Sequence, residues 1–443
     1  METKARRGFL ALVTILLLFL SALVSAVPAQ AAGTGSISGT VTVPDGIDVT
    51  QIAVVVFHAP DVVNPTHPDA DGTYTVTGLP AGSYPVSFQA GPDGYGVRQN
   101  VVSRFYGGDG SGLGTPVNVA AGEAKAGIDV QLVLGATISG MVTVPEGIDV
   151  SQISATAFSL SGGSFSPSFG AVDSDGTYTV VGLPAGTYRV NFGNFPADPN
   201  GVRQNVVPRY YGGDGSFANA TPVAVAAGEA RAGIDVQMAL GATISGTVTV
   251  PEGIDVSQIF AVALPSGPGA GVGGSAAVKA DGSYTVVGLP AGSYKLNFGS
   301  QKEMPQNVVS RFYGGDGSFA NATPVVVAAG EAKEGTDVEL ALGATISGTV
   351  TVPDGVDVSQ IFVSATSSAS GFGGGAAVQS DGTYTIVGLA AGSYKVYFVG
   401  KGTPVVSRYY GGDGSVANAT PVMVAPGGAL AGIDVVLVLA APR

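Results

Sequence analysis

The phrase ISGTVTVPDGIDV begins at Ile37 and returns with small changes at Ile138, Ile244 and Ile346, spacings of 101, 106 and 102 residues. The stretches GATISGMVTVPEGIDVSQI from Gly135 and GATISGTVTVPEGIDVSQI from Gly241 differ only at Met141 against Thr247. Copies this similar arose by duplication and must share one fold. Each unit has the size of a whole domain and is too long for a solenoid repeat, which recurs every ~20–50 residues. We expect repeats at 32–134, 135–240, 241–342 and 343–443, after an N-terminal segment 1–31.

That segment reads as a secretion signal. Lys4, Arg6 and Arg7 precede an apolar run from Phe9 to Leu20 that continues to Val24, and Ala29-Gln30-Ala31 supplies a small-x-small cleavage site. A retained anchor is the competing reading, but the run is marginal for a span of about 20 residues and ends in Pro28. The expected location is extracellular, with no membrane attachment after cleavage and a monomeric chain.

Within a repeat the alternation has period two. Ile37, Gly39, Val41 and Val43 share one face, with Ser38, Thr40 and Thr42 on the other; Ile128, Val130, Leu132 and Leu134 alternate likewise in the last strand. Between them come QIAVVVF from Gln51, a hairpin DGTYTVTGLPAGSYPVSF from Asp71, NVVSRFY from Asn100 and TPVNVA from Thr115. That makes about seven strands, which at this length suggests a two-sheet sandwich. The 69 glycines and 27 prolines disfavour helix interiors and punctuate strands. The fold class is therefore all-β, four tandem seven-stranded sandwiches. Junctions such as Leu134-Gly135 carry no linker, so we expect a stiff rod on the order of 120 to 160 Å long.

In the hairpin, Asp71-Gly72 and its counterparts Asp175-Gly176, Asp281-Gly282 and Asp381-Gly382 suit a tight turn. Tyr74 and Val76 should point inward, with Leu79, Tyr84, Val86 and Phe88 continuing the core. Pro85 stands where the other copies have Arg189, Lys295 and Lys395, which predicts an exposed edge strand in the first copy.

The segment DGTYTVVGLPAGTYRVNF from Asp175 to Phe192, with the ISGTVTV opening strand, resembles the carboxypeptidase regulatory-like domain. That is a prealbumin-like, Greek-key sandwich similar to the carbohydrate-binding-like modules of secreted α-amylases. The resemblance recurs in all four copies. It implies a scaffold used as spacer, adhesin or glycan-binding module, and it carries over no catalytic residue.

One stretch lies outside that framework: SRFYGGDGSG from Ser103, PRYYGGDGSF from Pro208, SRFYGGDGSF from Ser310 and SRYYGGDGSV from Ser407. As a binding loop it offers Arg104, Phe105, Tyr106 and Asp109; Arg209, Tyr210, Tyr211 and Asp214; Arg311, Phe312, Tyr313 and Asp316; and Arg408, Tyr409, Tyr410 and Asp413. The aromatics would stack on sugar rings, Arg and Asp would orient hydroxyls, and the glycines would let a ligand approach the backbone. As framework it is a strand with aromatics alternating between core and surface, ending in a Gly-rich turn closed by Asp.

Other chemistry is poorly supported. With no Cys there is no disulfide framework, thiolate metal site or cysteine nucleophile. Asp69-Ala-Asp71-Gly72 echoes a calcium loop, but later copies read Lys279-Ala-Asp281 and Gln379-Ser-Asp381, so Asp closes a turn and no metal or cofactor is expected. The only histidines, His58 and His67, fall in the first copy's variable region, as surface-loop residues. The second repeat contains no Lys, which excludes a general Lys–Asn isopeptide cross-link, and Lys125 beside Glu123 reads as solvated turn charge. The formal charge of −13 becomes −15 without the leader, which makes nucleic acid an improbable partner. A polysaccharide or cell-surface glycan is the expected partner. The alternatives are a passive spacer or adhesive rod and, further off, a component of an α-amylase-type hydrolase.

Overall fold

The computed structural model describes residues 34–58, 61–90, 99–108, 114–160, 167–194, 203–213, 216–267, 272–300, 305–315, 318–369, 371 and 373–440. Residues 1–31, expected to be a secretion signal, lie outside them. Among the described residues no helix is long and apolar enough to cross a membrane. The chain divides into two compact units, 1–240 and 241–443. Each contains two separate apolar cores, centred on Ile37, Ile138, Ile244 and Ile346 in turn.

Every repeat is an all-β, two-sheet Greek-key sandwich, best followed in the second. Its opening strand Ala136–Thr143 pairs antiparallel with Thr177–Leu183 and parallel with the short strands Ala230–Arg231 and Val236–Gln237. In the second sheet Ile153–Ser159 lies between Ser168–Ala171 and the return strand Gly186–Asn194, which also pairs with Arg209–Tyr210 and Val223–Val225. The period-two pattern translates into this architecture because alternate residues of each strand point between the sheets. Ile138, Val142, Tyr178, Val180, Leu183, Tyr188, Val190, Phe192, Ile234 and Val236 are all buried in one core. Tyr178 and Phe192 meet edge to face across it at 5.3 Å. The later repeats have nine strands each among the described residues; several are two-residue pairings that no alternation announces.

Two tyrosines in each repeat have their hydroxyls tied to main chain, as the second repeat shows. The Tyr178 hydroxyl donates to the carbonyl of Ile234 at 2.7 Å, and Gly140 makes room for that carbonyl: a Cβ there would lie 2.5 Å from the oxygen. The Tyr188 hydroxyl donates to the Pro184 carbonyl at 2.8 Å, a tyrosine corner that ties the turn to the strand leaving it. In the fourth repeat Tyr394 makes the same bond to Ala390. The acceptor is main chain, so proline is dispensable there.

The structure corrects three expectations. The DGTYTV…SYPVSF stretch is not a paired hairpin: in the first repeat Thr73–Leu79 joins the opening strand, whereas Val86–Gln89 joins the other sheet. The Pro80 turn is thus an arch between sheets, and alternation cannot reveal which partner a strand takes. Nor does Pro85 mark an edge. Val86–Gln89 lies between Ala53–His58 and Arg104–Phe105, and the missing proline donor instead breaks the return strand into Gly82–Tyr84 and Val86–Gln89. His58, expected in a loop, ends a strand. Asp71 accepts from both the amide and hydroxyl of Thr73, as a turn-closing residue does. Lys125 and Glu123 form a solvated pair 3.4 Å apart.

Burial raises the hydroxyl pKa of Tyr74, Tyr178, Tyr284 and Tyr384, that of Tyr284 to about 12. The neutral form is favoured in the fold, while an unfolded tyrosine ionises near pH 10. Their contribution is therefore complete below about pH 10 and falls as pH climbs toward 12. In an alkaline titration we expect a late-ionising class of tyrosines whose phenolate absorbance appears together with loss of the β-sheet circular dichroism signal. Ionisation of all 16 tyrosines near pH 10 with the fold intact would contradict this.

Candidate functional site

The structure separates the residues that the RFYGGDG segment holds together in sequence. Arg209 and Tyr210 form a short strand beside Asn191 and Phe192 of the return strand. The Arg209 guanidinium reaches across the sandwich edge to the Gln237 carbonyl at 2.9 Å and back to the Gly213 carbonyl at 3.1 Å. Arg104 donates to the carbonyls of Gln131 and Gly108, Arg311 to that of Glu339, and Arg408 to that of Gly412 through two nitrogens. These guanidiniums staple main chain, and the Nε atoms of Arg104, Arg209 and Arg311 are buried without a partner. Such an arginine serves the framework of its own repeat.

The second aromatic is framework too. Tyr106, Tyr211, Tyr313 and Tyr410 each pack against the core of their own repeat. The glycines admit a neighbour of their own fold. Gly212, Gly314 and Gly411 have positive φ, and a Cβ on any of them would come within 2.0 Å of the hydroxyl oxygen of Thr221, Thr323 or Thr420. Asp413 accepts from the Ser415 amide at 2.7 Å and the Asn418 side chain at 2.9 Å. Those bonds hold its carboxyl below the usual range, with the Ser415 amide contributing most. Asp109, Asp214 and Asp316 lie outside the described residues.

What remains is the first aromatic, which faces outward. In the second repeat the Tyr210 ring lies 6.3 Å from Phe158 and 5.5 Å from Phe217, edge to face with the latter. Phe217 is 44% exposed. The Arg189 guanidinium sits 4.4 Å over the Phe217 ring and donates to the Ala218 carbonyl at 3.3 Å. Asn191 and Thr156 stand beside Tyr210 in one cross-strand row. The third repeat repeats the plan: Phe312 lies 5.5 Å from Phe319, which is 47% exposed, with the Lys295 ammonium 4.5 Å over its ring. In the fourth, the Tyr409 ring lies 4.6 Å from that of Tyr397, tilted by 40°, and Val416 takes the place of the exposed phenylalanine. In the first, Phe105 lies 5.9 Å from Phe57.

The candidate site is thus an outward aromatic patch on the second sheet, built most fully in the second and third repeats. Sequence reasoning did not single out Phe217, Phe319, Arg189 and Lys295, which the structure places beside the outward aromatics of the segment. The available signal was strand parity: Arg189 and Lys295 alternate with the buried Tyr188 and Val190 or Tyr294 and Leu296, and so must point outward. No cluster of three or more metal-ligating side chains occurs among the described residues.

No protein-family model and no curated protein matches the chain. Among solved structures it is similar to the TIE protein of Bacillus anthracis, at 9% identity over 93% of this chain and 76% of that one, with a TM-score of 0.18. The minor pilin of Streptococcus agalactiae matches at 11% identity over 45% of this chain and 97% of its own, with a TM-score of 0.22. The major pilin subunit of Bacillus cereus matches at 9% identity over 92% and 100%, with a TM-score of 0.16. At these scores the similarity supports no inference about this chain.

Proposed function

We propose that the protein is an exported, non-catalytic array of carbohydrate-binding-like sandwiches that holds extracellular polysaccharide, α-glucan in the first instance, on the outward aromatic patches of its second sheets. The observation that carries this is the Phe158–Tyr210–Phe217 cluster, an apolar surface left open with Asn191 and Arg189 beside it. Sugar rings present an apolar face to such a surface and hydroxyls to its polar rim. The acidic chain suits a neutral glycan better than a polyanion. Each aromatic contributes about 1 kcal/mol by analogy with aromatic pairs, so a single patch binds weakly, and later contacts by other repeats on one polymer are effectively intramolecular.

The test is retention of the mature protein on insoluble starch and other glucans. Replacing Tyr210, Phe217, Phe312 and Phe319 together by Ala should abolish retention with little change in melting temperature, because these rings stand outside the cores. The paired control, Tyr211→Ala with Tyr313→Ala, should lower stability by about 2–4 kcal/mol per site through lost core packing. If wild type and the outward variant are retained equally, or neither is retained, the array is a spacer. That reading draws on the arginines and inner tyrosines being framework.

A further inference from the structure

Within each compact unit the two repeats meet without a linker, and the contact is built from three residues. Leu134 ends the first repeat by bridging to Val101, and Ala136 already belongs to the next opening strand. The Asn100 carbonyl accepts from the Gly135 amide at 3.0 Å, and its side-chain Oδ1 accepts from the amide of Gly182, inside the second repeat, at 2.8 Å. Gly182 has φ +73°, which presents that amide outward at a bulge. A Cβ on Gly135 would lie 2.5 Å from the Gly182 Cα and 2.9 Å from Asn100 Oδ1. Between the third and fourth repeats the arrangement recurs. The Asn307 carbonyl accepts from Gly343 at 2.9 Å, its Oδ1 accepts from Gly388 at 2.9 Å, and a Cβ on Gly343 would lie 2.5 Å from the Gly388 Cα. One asparagine therefore spans two domains, and one glycine lets them close around it.

The fourth repeat keeps the backbone of this edge and changes both side chains. Pro404 stands where Asn100 and Asn307 stand, and its carbonyl still accepts from the residue at the glycine position, at 2.7 Å. That residue is Ala440. Val405 still bridges to Leu439 as Val101 does to Leu134. Proline has no side-chain acceptor, and the alanine Cβ would occupy the space into which the next repeat's bulge must fit. At the other end, Thr34 occupies the position of Gly135, and Gly78, the counterpart of Gly182, keeps its positive φ of +81° with open space around it.

We propose that Asn100 with Gly135 and Asn307 with Gly343 form a lock that fixes the orientation of consecutive repeats. We further propose that Pro404 and Ala440 make the outer edge of the fourth repeat a terminus that cannot accept another repeat of this kind. The array is then encoded to stop extending through this joint, whether by further repeats or by a second copy docking end to end.

The chain has no cysteine, so spin labels on Glu334→Cys in the third repeat and Asp354→Cys in the fourth report one distance in the full-length protein. A narrow distance distribution is expected for the labelled parent. Asn307→Ala removes one hydrogen bond and should raise the population of undocked orientations by roughly fivefold to tenfold. Asn307→Asp keeps an acceptor at the same place and should leave the distribution narrow. Moving the terminus inward, Asn307→Pro with Gly343→Ala, should broaden it at least as much as Asn307→Ala. Circular dichroism melting verifies that both repeats remain folded; if the double variant does not fold, Asn307→Ala and Asn307→Asp decide the lock. A narrow distribution in Asn307→Ala, or equal broadening in Asn307→Asp, overturns the lock. A folded double variant as narrow as the parent overturns the terminus.

Discussion

Gly140→Ala is expected to cost the second repeat about 3 kcal/mol or more, at the upper end of what over-packing does, although it adds one methyl group to a strand. The new Cβ would lie 2.5 Å from the Ile234 carbonyl oxygen and 2.6 Å from its carbon, so main chain must move. That carbonyl is the acceptor for the buried Tyr178 hydroxyl, and the Ile234 amide donates to Ser139 at 3.1 Å. The neighbouring Asp235 carboxylate accepts from the Met141 amide at 2.9 Å. Displacing the last strand therefore strains all three bonds together and leaves a buried hydroxyl in search of a partner. Denaturant unfolding should show one early transition of roughly a quarter of the chain, with the other repeats unchanged. A cost below about 1 kcal/mol would mean that the two strands can separate freely, and would sink this account.

Phe192→Ala should cost the same repeat about 3–5 kcal/mol, a large part of the ~5–15 kcal/mol that a domain possesses. Phe192 is fully buried and supplies the second-sheet half of the edge-to-face pair with Tyr178. Truncation opens a cavity between two sheets whose positions are tied at several other points, which limits collapse into it. The matching change on the outer face, Tyr210→Ala, should stay within about 1 kcal/mol, since that ring is outside the core. Thermal melts of the two variants against the parent decide the matter, and equal effects would show that the two faces of the second sheet had been assigned wrongly.

The inner faces were readable because burial follows parity. Ile37, Val41, Tyr74, Val76, Leu79, Tyr84, Val86 and Phe88 all lie in the first core, as their alternation predicts. Leu134 breaks the pattern at 44% exposure, as Leu439 does at the same place in the fourth repeat, because the regular pairing of the last strand has ended before it. Strand pairing was not readable: alternation identifies a face and is silent about the partner, so an arch between sheets looks like a hairpin. The candidate segment was located by recurrence, yet its residues were assigned by chemical type. Arginine, glycine and aspartate serve sugars and main chain equally well, and only three-dimensional neighbours such as the Gln237 carbonyl and the Thr221 hydroxyl distinguish the two uses.

The parallel pairing of first and last strands bears on how near-identical neighbours avoid exchanging parts during synthesis. Val41 waits for Val130, and until that strand emerges the first sheet has an open edge. The next opening strand, almost a copy of the first, follows directly as Ala136–Thr143 and offers the last strand a rival partner. A parallel partner cannot be reached by a chain that has just run straight into it, because such a crossover needs about a dozen residues or more. Val130–Gln131 ends five positions before Ala136, so the rival is sterically out of reach and the last strand must return to its own repeat. The missing linker thus acts as a proofreading device: lengthening the junction by a flexible dozen residues would open the exchange that the present spacing forbids.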